Sequence, residues 1–480
     1  MAFIVSSITR PPRRLDHASS DAPRFRFMID RHVPAKLQGW LEGLWLAALA
    51  AYILAGAPLV PFHGDESTQI YMGRDYFYLF HDSDLEAVSY DSSWIKRPTE
   101  QHLRLINGTV TKTIHGFLAA SAGMSREEIN GQWDWQLDYA ENRELGHIPE
   151  AQLLGRARLA SAAQLAVSAA LFYVLVRMTI GRPAAIVASG LYGLHPALLL
   201  NGRRAMMEGS HLLGMILVLL AAVWLLQGHR WWKFVLLGVA SGFAVAAKHP
   251  NAFVVALVFF ACAALWLYQT ARVQGQARRR PAQALIGLLA AGGLALFSFY
   301  LMNPAWWQAP LDSAAEVLRL RAGLLNEQVA RYGGYDSSAE RIEGFLEYAF
   351  FDQSQYYEVA QWAGYDAIRA QISAYESSGL AGLAIDGKLG GLIMAGLSVW
   401  GIVYLARAPQ IDRKYRWLLL VWGGGIAGIT LLVTPLPWQR YYLPVLPFAQ
   451  LAAACAVAHL IRSWWHRMES RTQHDLSLSD

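Results

Sequence analysis

About ten apolar stretches, each near the ~20 residues that a helix needs to cross a bilayer, leave this chain few ways to fold. They run near 38–60, 154–177, 183–200, 206–226, 232–248, 251–270, 283–303, 386–406, 417–434 and 441–462. Composition agrees: 54% of the 480 residues are hydrophobic and 16% are charged, too apolar a balance for a soluble enzyme of this length. The 18 Trp and 21 Tyr suit rings anchored at the water–lipid boundary. The expected fold is an all-α integral membrane protein with about ten transmembrane helices. Cys262 and Cys455 each sit inside an apolar run and read as small buried hydrophobes, with no disulfide framework and no zinc spacing.

Lys/Arg bias gives the orientation. Arg10, Arg13, Arg14, Arg24, Arg26, Arg31 and Lys36 flank the first stretch. Arg177 and Arg182, Arg230 and Lys233, Arg272 and Arg278–Arg280, Arg407, Arg413, Lys414 and Arg416, and then Arg462, Arg467 and Arg471 fall on alternate loops. That side is expected to be cytoplasmic, with both termini inside. Residues 1–36 are Arg-rich, polar and Pro-containing, and lack a signal-peptide pattern; they read as a disordered cytoplasmic tail. Residues 37–464 form the membrane domain and 465–480 a second cytoplasmic tail.

Two long loops lie on the other side, at 61–153 and 304–385. In the first, Ser67–Phe80 has helical periodicity, and Leu103, Ile106, Val110, Ile114 and Phe117 recur at spacings of three and four. Helices lying in the membrane interface and helices packed on the bundle both fit this stripe. The second loop, rich in Glu, Gln and Tyr from Asn326 to Glu376, is expected to be partly helical and to roof an outer cavity. Its Gly333–Gly334 could form a mobile segment.

Four clusters on this side carry candidate chemistry. They are Asp65-Glu66, just past the first apolar stretch; Arg203, Arg204 and Glu208; Lys248 and His249; and Arg440, Tyr441 and Tyr442. Ionisable groups at a membrane edge are costly, and positive charge here runs against the orientation bias. Acids beside bases suggest a site for a lipid-linked anion. Arginine offers forked donors to phosphate and lysine a point charge, while a nearby acid can act as general base. Plainer roles remain open for each: Arg440 and Lys248 as snorkelling side chains, Arg203 and Glu208 as a structural pair, Asp65 as a helix cap.

Taken in order, these residues resemble the GT-C superfamily of glycosyltransferases that use polyprenyl-phosphate sugars, with protein O-mannosyltransferases and lipid A aminoarabinose transferases as the nearest kin. The family's Asp-Glu pair after the first helix stands as Asp65-Glu66, and its Arg followed five residues later by an acid as Arg203 and Glu208. The glycine-spaced helix ending in Lys resembles Gly238–Lys248, and the last-helix signature resembles Arg440-Tyr441-Tyr442-Leu443-Pro444-Val445-Leu446-Pro447. The resemblance covers about 38–460. The chain departs in its longer first loop, in having fewer late spans, and in lacking an HPP-type segment, for which Ile95-Lys96-Arg97-Pro98 is no substitute.

The resemblance implies a GT-C fold and transfer of a sugar, with inversion, to an extracytoplasmic protein hydroxyl, lipid or cell-wall glycan. Asp65 would be the general base, with Glu66 orienting the acceptor or holding an arginine. Arg203, Lys248, Arg440 and Tyr441 would bind the donor phosphate, supported by Arg204, Glu208 and His249. No cofactor is required; a divalent metal is conceivable but not expected, because cations can neutralise a single phosphate. Partners would be the lipid-phosphate donor, the acceptor and membrane lipid, with no nucleic acid. A secondary transporter or lipid flippase is the rival class, but transporters gather ionisable groups near the midplane and often repeat internally; neither sign is evident here. Asp82-Ser83-Asp84 reads as a solvated acidic loop, the His63/His81 pair lacks ligand spacing for zinc, and His195-Pro196 reads as a helix break.

Overall fold

The structure, a computed structural model, describes residues 34–91, 98–272, 274–275, 279–352, 354–383 and 387–477. The expectations for the arginines of the first 33 residues, for Arg278, for Ile95–Arg97 and for the last three residues lie outside that range. Two units are distinguished, Met1–Leu41 and Glu42–Asp480. The described part of the first is the opening of helix Ala35–Ala55 (α1).

Among the described residues every regular element is helical. Beyond α1 come Gly64–Tyr71 (α2), Arg74–Phe80 (α3), Pro98–Ile106 (α4), Thr109–Ser121 (α5) and Ala151–Thr179 (α6). Arg182–Gly193 (α7), Pro196–Arg203 (α8), Glu208–Leu226 (α9), Trp231–Ala247 (α10), Asn251–Arg272 (α11) and Arg279–Met302 (α12) follow. The last are Pro310–Tyr332 (α13), Gly387–Arg407 (α14), Arg413–Val433 (α15) and Leu446–Ser477 (α16).

Among the described residues eight helices are long and apolar enough to cross a membrane, or nine if α7 and α8 count as one span bent by 59°. The tenth expected stretch is α10, which at 17 residues falls short of the rest. The bend lies at His195-Pro196, where proline cannot donate its backbone N–H and disfavours helical geometry in the residue before it. α10 packs along α12, α14 along α16, and α6 against α7 and α9. The glycine spacing of α10 explains its closeness to α12: a Cβ on Gly242 would lie 2.5 Å from Ser298 Cβ and 2.7 Å from the Ala295 carbonyl. Small residues of this kind let helix backbones approach where lipid supplies no hydrophobic drive. Apolar side chains such as Leu289 and Leu296 on α12 are left exposed, as a lipid solvent requires.

The two periodic segments of the first loop are helical, each broken once: α2 from α3 at Met72-Gly73, and α4 from α5 at Asn107-Gly108. Leu103 and Ile106 are buried while Phe117 is exposed, so most of the stripe packs inward. The second loop holds α13 and shorter helices over Ser338–Leu346 and Asp366–Ser377. Both loops lie at one end of the bundle with the helix junctions near 204–207, 248–250 and 434–442. The junctions near 227–230 and 408–412 lie at the other.

Candidate active site

Asp65 is placed by a reciprocal cap. His63 precedes α2; its Nδ1 accepts the Asp65 N–H at 3.1 Å, and Glu66 Oε1 accepts the His63 N–H at 3.0 Å. With Nδ1 an acceptor, a ring proton sits on Nε2, which faces Glu358 Oε2 at 3.0 Å. The approach to α2 is clamped by the second loop: Phe62 N–H donates to Gln371 Oε1 at 2.8 Å, and Tyr357 Oη–H donates to the Phe62 carbonyl at 2.6 Å.

A cavity of about 330 Å³ opens here. Asp65, Glu208, Lys248, Arg440 and Tyr441 line it, drawn from α2, α9, the α10–α11 junction and the chain before α16. Arg440 Nη1 donates directly to Asp65 Oδ2, and Arg440 Nε lies 3.0 Å from Glu358 Oε1. Lys248 Nζ donates to Glu208 Oε1 at 2.8 Å, while the buried Glu208 Oε2 has no hydrogen-bond partner among the described residues. Tyr441 stacks on Trp438 with ring centroids 5.7 Å apart. Trp135, Tyr332, Trp362 and Trp438 give the lining an aromatic wall.

Electrostatics fix the charge states of this chain. Burial alone would raise the Glu358 carboxyl pKa; Arg440 and His63 outweigh it and hold the group far below the usual carboxylate range. Burial would lower the Arg440 pKa, but Glu358 and Asp65 raise it well above its ordinary value. Glu358 is therefore an anion and Arg440 a cation at any physiological pH.

Glu66 is elsewhere. Fully buried, it receives Arg158 Nε and Nη2 at 2.8 Å each and the Ala205 N–H at 2.9 Å. Burial raises its pKa, yet Arg158 and Arg204 leave it lowered on balance. It does not line the cavity, so it is not placed among the catalytic groups; of the two roles expected for it, orienting the acceptor or holding an arginine, its contacts fit the second, and it ties α2 to α6 and to the α8–α9 junction.

The expected phosphate-binding place of Arg203 is corrected. Its guanidinium donates to the Ile53 carbonyl at 2.8 Å, the Tyr52 carbonyl at 2.7 Å, Tyr375 Oη at 2.8 Å and the Leu380 carbonyl. It fills the space beside Gly56, where a Cβ would lie 2.3 Å from Arg203 Cζ. With its donors committed to protein oxygens and no share of the cavity wall, it offers a phosphate nothing. Arg204 donates to the carbonyls of Pro61 at 3.1 Å and Tyr356 at 2.8 Å, and so holds the two long loops together from outside the cavity. His249 also lies off the lining; burial, with help from Arg321 and Lys112, pushes its pKa down to about 3, which leaves a neutral ring against Phe299.

Glu358 and Arg321 join the cavity without a signal in the sequence. Glu358 sits in an irregular segment positioned by contacts from distant parts of the chain: His63, Arg204, Gln439 and Arg440. Arg321 is one of three arginines of α13, and nothing in the local pattern marks it off from the exposed Arg319 and Arg331. It donates to the Ile106 carbonyl, and among the described residues no carboxylate lies within ion-pair distance of it. Asp82 pairs with Arg126 at 2.7 Å, and Asp84 caps a short helix. Among the described residues no group of three or more His, Cys, Asp or Glu could hold a metal ion.

Residues 114–302 match the family model described as dolichyl-phosphate-mannose-protein mannosyltransferase. No curated protein sequence matches the chain. Among solved structures, the apo crystal structure of ArnT from Cupriavidus metallidurans is similar over 91% of this chain and 63% of its own, at 13% identity and a TM-score of 0.50. The apo Archaeoglobus fulgidus oligosaccharyltransferase is similar over 92% of this chain and 53% of its own, again at 13% identity and a TM-score of 0.50. At such identities the likeness is one of fold, and the chain spans less than two thirds of either protein. The glycosyltransferase resemblance drawn from the sequence holds in the family match, and the all-helical membrane architecture holds in the fold.

Proposed function

We propose that this chain, like the mannosyltransferase family matched by its residues 114–302, is a membrane glycosyltransferase that moves a sugar from a polyprenyl-phosphate donor to an acceptor hydroxyl. One observation carries the reading: Asp65, Arg440, Lys248 and Arg321, scattered over 376 positions of chain (440 − 65 + 1), line one cavity at one end of the helix bundle. That combination supplies a base and phosphate-binding cations in one place. The ends of the bundle rich in Lys and Arg lie opposite, which supports an extracytoplasmic cavity with cytoplasmic termini.

In this mechanism the donor phosphate sits against Arg440, Lys248 and Arg321, with its polyprenyl tail in lipid. The phosphate competes with Asp65 for Arg440, and its arrival frees a carboxylate oxygen. Asp65 takes the acceptor O–H proton as that oxygen bonds to the anomeric carbon from the face opposite the phosphate. The bond from the anomeric carbon to the phosphate oxygen breaks, and its electron pair leaves with the lipid phosphate. The cations stabilise the charge that grows there in the transition state. Glu358 keeps Arg440 in place when Asp65 lets go, and Glu208 does the same for Lys248. The aromatic wall is suited to the faces of the sugar rings. The acceptor is a protein hydroxyl, a lipid or a glycan.

The test is transfer from a synthetic polyprenyl-phosphate mannose in detergent, scored over a panel of peptide, lipid and glycan acceptors. Wild type should release lipid phosphate in step with product, and Asp65→Asn should bind donor but not turn over. Equal turnover in Asp65→Asn removes Asp65 from the reaction.

A further inference from the structure

A second cavity, of about 590 Å³, opens at the end of the bundle away from Asp65, between the ends of α9, α10, α11, α12 and α15. Its floor is apolar and buried: Trp266 and Ala284 are each 1% exposed. His229 stands edge-on to the Trp266 ring, with centroids 5.2 Å apart at 84°. Around the rim are the guanidinium of Arg280, the ammonium of Lys414, and the side-chain amides of Gln227, Gln269 and Gln283. Among the described residues Arg280 has no carboxylate within ion-pair distance, and Lys414 has one exposed neighbour, Asp412, at 3.3 Å. The charges that act on His229 are all positive: Lys233, Lys414 and Arg280.

We infer that this cavity binds the phosphate head of an anionic membrane lipid. Two cations, of which one has no carboxylate beside it among the described residues and the other only the exposed Asp412, leave net positive charge over an apolar floor, and an anion relieves it. Amide donors beside them complete the coordination of phosphate oxygens. Orientation bias alone needs positive charge somewhere on these loops; it does not need Arg280 and Lys414, 134 positions apart (414 − 280), to line one cavity. The surroundings suit an amphiphile. Trp231 and Trp232 are 77% and 41% exposed beside the cavity, as interfacial rings are. One turn deeper along α12, Ile286 and Leu289 are 68% and 78% exposed and give an acyl chain a surface to lie on. Nothing in this assignment depends on the reaction proposed for the Asp65 cavity.

The test is native mass spectrometry of the full chain in a neutral maltoside detergent, titrated with phosphatidylglycerol, with phosphatidylcholine, or with inorganic phosphate. Phosphatidylglycerol should bind, and the double variant Arg280→Gln/Lys414→Gln should weaken it by at least about tenfold. Arg280→Lys with Lys414→Arg, which keeps the charge, should hold affinity near that of wild type. Unchanged affinity in the neutral double variant overturns the assignment, and so does equal binding of phosphatidylcholine. Full displacement by millimolar inorganic phosphate assigns the cavity to a soluble anion and overturns the lipid. Should the double variant fail to fold, photo-crosslinking of wild type with a diazirine phosphatidylglycerol decides: labels on 226–234 and 265–284 support the site, and labels confined elsewhere overturn it.

Discussion

Asp65 and Glu66 are adjacent in the chain, and their carboxylates part: Asp65 meets Arg440 at the cavity, and Glu66 meets Arg158 in the protein interior. Successive residues of a helix point about 100° apart, and here that angle separates a solvent-facing acid from a buried strut. The two amide variants should therefore fail differently. Asp65→Asn should fold with an unchanged melting temperature and lose about 10²–10⁴-fold in kcat, the usual range for a lost general base. Glu66→Gln should lower the melting temperature or the yield of folded protein, because it leaves Arg158 buried without its counter-charge. Thermal unfolding and turnover measured on both variants check the division; a destabilised Asp65→Asn with normal specific activity would reverse it.

Arg203 yields a prediction opposite to the one its spacing to Glu208 suggests. Its hydrogen bonds run to the carbonyls of α1, to Tyr375 and to Leu380. Arg203→Ala strands these buried acceptors and opens a void beside Gly56, so the loss of stability should be about 3 kcal/mol or more. Lipid-phosphate affinity of the folded fraction should stay near wild type, whereas Lys248→Gln and Arg440→Gln should weaken it. Titration of polyprenyl phosphate by intrinsic Trp fluorescence separates the cases.

Lipid made much of the fold legible. A bilayer demands runs of apolar residues about 20 long, so α1, α6, α9, α11, α12, α14, α15 and α16 stand out in the sequence. The proline of His195-Pro196 marks the bend between α7 and α8. The lining of the candidate cavity was legible where a charge sits at a helix junction facing the loops, as Asp65, Glu208, Lys248 and Arg440 do. Sequence order could not say which of two neighbours turns inward, and that decided Asp65 against Glu66. Nor could it show that Arg203, at the end of α8, would turn back onto the carbonyls of α1. Glu358 and Arg321 were invisible because the tertiary folding of a long loop, and no local pattern, brings them to the cavity.

Glu358 shares Arg440 with Asp65, so its charge sets how hard the guanidinium holds the proposed base. In Glu358→Gln, Asp65 is the sole remaining carboxylate on Arg440. The carboxylate becomes less basic and the cavity gains positive charge. Steady-state kinetics should show kcat down by about tenfold, or ~1.4 kcal/mol, with the donor KM unchanged or lower. Glu358→Asp should recover part of kcat. A variant in which kcat is kept and the donor KM rises would make Glu358 a binding group instead.

His115, on α5 outside the spanning helices, offers a pH test of the buried first loop. Its ring is 1% exposed, and burial, only partly offset by the Gln69 backbone and Glu66, pushes its pKa down to about 4 from 6.5. The sign follows from proton counting. Below pH 6.5 the unfolded chain takes up a proton at this ring and the folded chain does not until about pH 4, so the folded state loses ground as pH falls through that window. At pH 5 the loss from this one group is about 2 kcal/mol relative to neutral pH. Thermal unfolding in detergent at pH 7 and pH 5 should show wild type dropping by more than His115→Gln, whose amide does not titrate. Equal drops in the two proteins would mean that His115 takes up its proton as readily in the fold as out of it, and that the α5 face turned toward Glu66 admits water.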